Sequence, residues 1–224
     1  MNTQIKLHIA NAHQKFTPFI SKLESLILDT VHKIEQEIPF LEGVDIIIAE
    51  EGMNNSTIPE DKIGGQTENS NLVNIVLAED FSTADLAKIP EFLTHELSHA
   101  LRWQYLDKYH PECLMINSLI DLAIFEGIAI KTAELICGKQ SYFSSVVTNR
   151  TDQQNLTIIK QLLPIFNNSD FDYETIFFTG DKALPRWSAY SMGYFMVNKH
   201  TSHKAQGLKE LLMTSYDDIK KHST

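Results

Sequence analysis

Cysteine is nearly absent. Cys113 and Cys137 stand far apart and in no CxxC pair, which excludes a disulfide framework and a thiolate zinc site and leaves two reduced thiols in a reducing compartment. Positive charge is scarce as well. Against 29 Asp and Glu there are 19 Lys and Arg, a formal net charge of -10, and the pI is near 5.3. A phosphate backbone or an anionic lipid surface would be repelled on average, so neither nucleic acid nor membrane is expected as a partner. Long apolar runs are also missing. The opening Met1-Asn2-Thr3-Gln4-Ile5-Lys6-Leu7-His8 has no signal-peptide core. The richest apolar stretch, Leu119 to Cys137, carries Asp121, Glu126, Lys131 and Glu134, which argues against a bilayer span and for a helix buried in protein. A cytoplasmic location is the expectation. Gly and Pro number only 9 and 7 in 224 residues, and 43% of the chain is hydrophobic, so collagen-like and disordered readings fall away and one substantial core is affordable by length.

What is present reads as helices around a small sheet. Apolar residues from Phe19 to Ile38 recur at helical spacing and stop at Pro39, which predicts one long amphipathic helix from Thr17 or Ser21 onward. Val44 to Ala49 and Leu72 to Ala78 are β-branched and apolar. The segment between them, with Gly52, Pro59, Gly64 and Gly65, is expected to be an irregular loop joining two strands. Pro90 opens a helix over Glu91 to Asp107, since its missing N–H would be unpaired in a first turn. A second long helix is expected from Leu114 to a stop at Gly138, with Gly127 as a local cost in its middle. Further helical patterns run from Leu156 to Phe166, from Pro185-Arg186 to Lys199, and from Lys204 to Thr214; Lys139 to Leu184 is open between a lid and a packed extension. The expectation is an α+β fold, mostly helical with a small sheet before the central helix, in a single domain over 1–224 with residues 1–16 as a flexible tail.

The chemistry concentrates in His95-Glu96-Leu97-Ser98-His99. This HExxH pattern arises by chance on the order of 0.03 times per chain of this composition. Residues at i and i+4 share a helix face, so two imidazoles can bind one tetrahedral zinc while Glu96 reaches toward a water that the metal acidifies. Zn2+ is therefore the expected cofactor, and a third protein ligand is required. Glu126 sits at the centre of an otherwise apolar stripe formed by Leu119, Leu122, Ala123, Ala129, Ile130 and Ala133. An unpaired carboxylate there is costly to desolvate and calls for a cation or strong hydrogen bonds. Asp121 lies about 220° around the helix from it and faces away, while Glu134, about 80° off, is the reserve ligand.

HELSHALRWQ followed by FEGIA resembles the gluzincin arrangement, HExxH on one helix and a Glu ligand on the next, and in particular the bacterial family of predicted zinc-dependent proteases. The resemblance runs over roughly residues 40 to 200. It takes in a strand, a Gly-rich loop at Gly64-Gly65-Gln66-Thr67, a second strand from Leu72 to Ala78, and the late Arg186-Trp187-Ser188-Ala189-Tyr190-Ser191-Met192-Gly193-Tyr194 segment. It implies zinc, a zincin-like fold and hydrolysis of a peptide or protein substrate, with His95, His99 and Glu126 as ligands and Glu96 as general base. The strand Leu72 to Ala78 would pair with extended substrate by β-augmentation. One position departs from the pattern: better-characterised gluzincins often place an Asp four residues beyond the ligand Glu, and here that residue is Ile130.

Hydrolysis also needs a donor for the tetrahedral oxyanion. Tyr190 is the candidate. It shares a helix face with Gly193, Tyr194 and Val197, a spacing that equally suits core packing, and Gly193 would let another helix approach closely. His200 and His203 read as solvated, and His8, His13, His32, His110 and His222 show no ligand spacing. Two other readings stay open: a non-catalytic zincin-fold interaction protein, and a zinc hydrolase of a non-peptide amide.

Overall fold

The strands are β1 (Ile5–Ile9), β2 (Val44–Glu50), β3 (Ile63–Asn69) and β4 (Leu72–Leu77). This computed structural model describes residues 5–52, 57–204 and 206–221. The strands form one sheet in the order β1-β2-β4-β3. β1 and β2 are parallel, as are β2 and β4, whereas β3 runs antiparallel to β4. Alternation does the work in β2 and β4: Val44, Ile46 and Ile48, with Val73, Ile75 and Leu77, are buried on one face, and the residues between them are only partly covered.

Three of the sequence expectations change here. The supposed Gly-rich loop is β3 itself, whose IGGQTEN lacks any apolar alternation and is held by its ladder with β4. Consequently β4 is an interior strand, paired on both sides. It has no free edge to offer a substrate; among the described residues β3 is the edge strand beyond it, bridged on its outer side at Ile63 by Ile58. Residues 5–9, inside the stretch read as a flexible tail, form the opposite edge strand β1, with Ile5 in register with Val44.

The helices that matter for the site are α1 (Ile20–Glu37), α2 (Ile89–Tyr109) and α3 (Leu119–Cys137). After them come α4 (Tyr142–Thr148), α5 (Asp152–Leu162) and α6 (Ser188–His203), and the described chain ends in α7 (Leu208–Met213) and α8 (Tyr216–Lys221). α1 buries Leu23, Ile27, Val31 and Ile34, the face its periodicity indicates, beside α2. α2 also crosses β3 and β4, and α3 lies between α2 and α6. α3 starts at Leu119 rather than Leu114 because the Ser118 hydroxyl accepts from the Asp121 backbone N–H and caps it. Gly138, with φ of +76°, ends it.

The cost of Gly127 inside α3 now has its reason. A Cβ at Gly127 would collide with the backbone of Gly193 on α6, and one at Gly193 would collide with the Ala123 carbonyl. The two glycines let α3 and α6 cross backbone to backbone. The polar stretch after α3 is a packed extension over its first half. Glu91 of α2 accepts from Gln140 N–H at 2.5 Å, Ser141 N–H at 2.9 Å and the Ser141 hydroxyl at 2.7 Å, and the buried Asp61 accepts from the N–H groups of Tyr142 and Phe143. Two buried carboxylates thus pin the start of α4, taking the N–H groups of its first two residues and of the two residues before them. Among the described residues, no helix is long and apolar enough to cross a membrane. The architecture is α+β, mostly helical with a small sheet that precedes α2.

Candidate metal centre

α2 places His95 and His99 on one face, one turn apart, and α3 crosses so that Glu126 meets them. His95 Nε2 lies 3.1 Å from Glu126 Oε2, His99 Nε2 lies 3.5 Å from the same oxygen, and the two Nε2 atoms are 3.2 Å apart. Among the described residues these three make the one group of His, Cys, Asp or Glu ligand atoms that converge within 4.8 Å. Zn–ligand bonds of about 2.0–2.1 Å at tetrahedral angles put ligand atoms about 3.3 Å apart, so the triangle already has the size of one face of a zinc tetrahedron. The donor set, two imidazoles and one carboxylate, fits zinc with a fourth position left over.

The electrostatics agree. Burial pushes the Glu126 carboxyl up, but the charge of His99 and hydrogen bonds from His95 and His99 outweigh it and hold the pKa far below the usual range. Burial pushes His95 down, and the Glu126 hydrogen bond together with the charges of Glu96, Glu126 and Glu91 carries it above its ordinary value. A divalent cation held by the three groups would balance the Glu126 charge and compete with protons for the imidazole nitrogens.

Glu96, next to His95 in sequence, reaches the sheet edge. Its Oε2 accepts from the Thr67 hydroxyl at 2.7 Å, and its side chain lies over Gly65, where an added Cβ would stand 2.5 Å from Glu96 Cγ. β3, the metal group and Glu96 together line one cleft of about 1070 Å³. Tyr190 reaches this cleft from α6, whereas Tyr194 on the same helix donates to Glu134 at 2.8 Å instead. Burial first, then the charges of Glu126, Tyr173 and Glu96, keep the Tyr190 phenol well above its ordinary pKa, so it remains a donor.

The reserve ligand Glu134 is taken up by Tyr194, Lys131 at 3.0 Å and Lys139 at 3.1 Å. Asp121 pairs with Lys220 of α8 at 2.7 Å. His200 is buried and His203 is exposed, and His222 lies outside the described residues. Ile130 packs with Phe143, Val147, Trp187 and Tyr194.

Several site residues escaped the sequence reading. Phe125 stacks on the His99 ring at 4.1 Å and 15°, and Trp103 stacks on Phe125 in turn, which fixes the plane of one ligand imidazole. Trp103 stands four residues after His99, and Phe125 one before Glu126, so local spacing offered a clue to both. Gly65 and Thr67 stand in the Gly64-Gly65-Gln66-Thr67 segment of the resemblance, where no role was assigned to them, and Tyr173 comes from a remote segment that nothing local marks.

Over residues 19–221 the sequence matches the family described as predicted Zn-dependent protease (DUF2268). The chain belongs to this family. No curated protein and no solved structure matches it. The zinc dependence that this description predicts agrees with the donor set on α2 and α3.

Proposed function

We propose that this family member is a zinc metallopeptidase of the gluzincin type, with a zincin-like fold, in which His95, His99 and Glu126 hold one zinc ion. The observation that carries the reading is the convergence of those three donors beside a fourth group, Glu96, that is anchored elsewhere. Bound there, zinc supplies Lewis acidity, acidifying a water and polarising a carbonyl.

The chain's own residues account for the rest. Glu96 Oε2 is held by Thr67, which leaves Oε1 to accept a proton from the attacking water and pass it to the departing amine nitrogen. Tyr190 donates its O–H to the developing oxyanion. β3, the edge strand lining the cleft through Gly64, Gly65, Gln66 and Thr67, offers backbone groups to an extended peptide, the role the sequence assigned to β4. Pairing through backbone gives affinity with little demand on sequence, which suits a peptide or protein substrate.

Zinc content by elemental mass spectrometry, measured on wild type, Glu126→Ala and Glu96→Gln alongside cleavage of a mixed peptide library, tests this. About one zinc per chain is expected in wild type and in Glu96→Gln, with the metal lost from Glu126→Ala. Library cleavage should fall about 10²–10⁴-fold in Glu96→Gln. Zinc retention in Glu126→Ala would discard the ligand set, and undiminished cleavage by Glu96→Gln would discard the general base. A zinc-loaded wild type that cleaves no peptide would favour the interaction-protein or non-peptide-amide readings.

A further inference from the structure

We propose that Thr67 is a positioning residue for Glu96, seating its carboxylate against the edge strand. The inference rests on the peptidase reading for the role of Glu96, and on geometry for the seat itself.

The Thr67 hydroxyl faces two acceptors of the same residue, Glu96 Oε2 at 2.7 Å and the Glu96 backbone carbonyl at 2.8 Å. A hydroxyl has one proton to give and two lone pairs to offer. That proton goes to the Oε2 carboxylate oxygen, the stronger acceptor, or to the carbonyl, and either bond ties Glu96 to the same point on β3.

Gly65 completes the seat. It lies two residues before Thr67 on β3, on the same side of the strand, and Glu96 Cγ and Oε1 occupy the space a side chain there would fill, at 2.5 and 2.7 Å from a notional Cβ. Glu96 is therefore clamped between bare backbone and a β-branched hydroxyl whose own χ1 is stiff. A glutamate has three side-chain torsions, and fixing them in the folded state removes that ordering cost from the reaction.

The test compares zinc-reconstituted wild type with Thr67→Val, Thr67→Ser and Gly65→Ala, in crystals and in peptide hydrolysis. Thr67→Val keeps shape and strand preference but removes the hydroxyl. It is expected to retain zinc, to show Glu96 displaced from β3, and to lose about 10–100-fold in kcat with KM unchanged. Thr67→Ser should restore the Glu96 position and most of kcat. Gly65→Ala, hydroxyl intact, should displace Glu96 by crowding and lower kcat similarly, which keeps the idea testable if Thr67→Val folds poorly. Glu96 unmoved in Thr67→Val or Gly65→Ala, a loss confined to KM, or Thr67→Ser as impaired as Thr67→Val would overturn the proposal. If wild type cleaves no peptide, the peptidase reading fails separately, and the crystallographic position of Glu96 still decides whether Thr67 seats it.

Discussion

Burial first, and then the charges of Glu126, Tyr173 and Glu96, oppose ionisation of the Tyr190 phenol. Its ring meets Phe143 and Phe177 edge-on at 5.1 and 5.3 Å, so the side chain is aimed by packing while its hydroxyl end borders the cleft. The core-packing reading and the donor reading of this residue are thus compatible, since the ring packs and the residue still lines the cleft. Tyr190→Phe preserves the ring and removes the donor. Steady-state kinetics on a cleaved peptide should show kcat reduced by about 10²-fold or more, the usual cost of one oxyanion donor, with zinc content unchanged. An unchanged kcat would move the role to another donor, and Tyr173, which burial and the charge of Glu126 push up to about 12, would be the next to vary. At the residue scale the site also shows why Glu126 tolerates an apolar stripe: its partners come from the preceding helix, and its own helix contributes none.

Among the elements, the crossing of α3 and α6 sets where Glu126 and Tyr190 stand relative to each other. Gly127 follows Glu126 directly, and Gly193 lies one turn beyond the Tyr190 position, so the contact that brings the two backbones together is adjacent to both functional side chains. In an unpacked helix Gly→Ala stabilises by about 1 kcal/mol. At this crossing the sign reverses, because the new methyl meets the Ala123 carbonyl, a backbone atom that cannot swing aside. Gly193→Ala should destabilise by about 3 kcal/mol, the upper end of overpacking effects, read as a lower urea midpoint at constant m value. A midpoint that rises would mean the helices can part without cost.

For the molecule as a whole, the question is whether metal holds the fold or the fold holds the metal. Small structural zinc domains unfold without their ion. Here α2 and α3 are joined by a continuous apolar core, including Leu97, Leu101, Ala123 and Ile128, and the ligands already meet through the His95–Glu126 and His99–Glu126 contacts. Chelation should therefore leave helical circular dichroism intact at 25 °C and lower Tm by about 10 °C, as expected for removing a ligand that stabilises by about 4 kcal/mol in a chain of this size. Complete loss of helical signal at 25 °C would instead make the ion structural.

His95, Glu96 and His99 were legible from spacing alone, since a helix converts i and i+4 into neighbours without help from the rest of the chain. Glu126 was legible because a single carboxylate in an apolar stripe demands a partner wherever the helix lies. The long helices followed from periodicity and from Pro90 and Gly138. The order of the strands did not follow from it. β3 carries glycine and polar residues without alternation, so it reads as loop, and only its pairing with β4 makes it a strand and puts it at the edge of the sheet. The same distinction separates Tyr190 from Tyr194, which share a helix face in sequence yet point to the cleft and to Glu134 respectively. Local sequence determined which groups could do chemistry, because helical spacing is short-range. Tertiary structure decided which of them face one another, because strand order, helix crossing and the seat of Glu96 on Thr67 depend on contacts between residues distant along the chain.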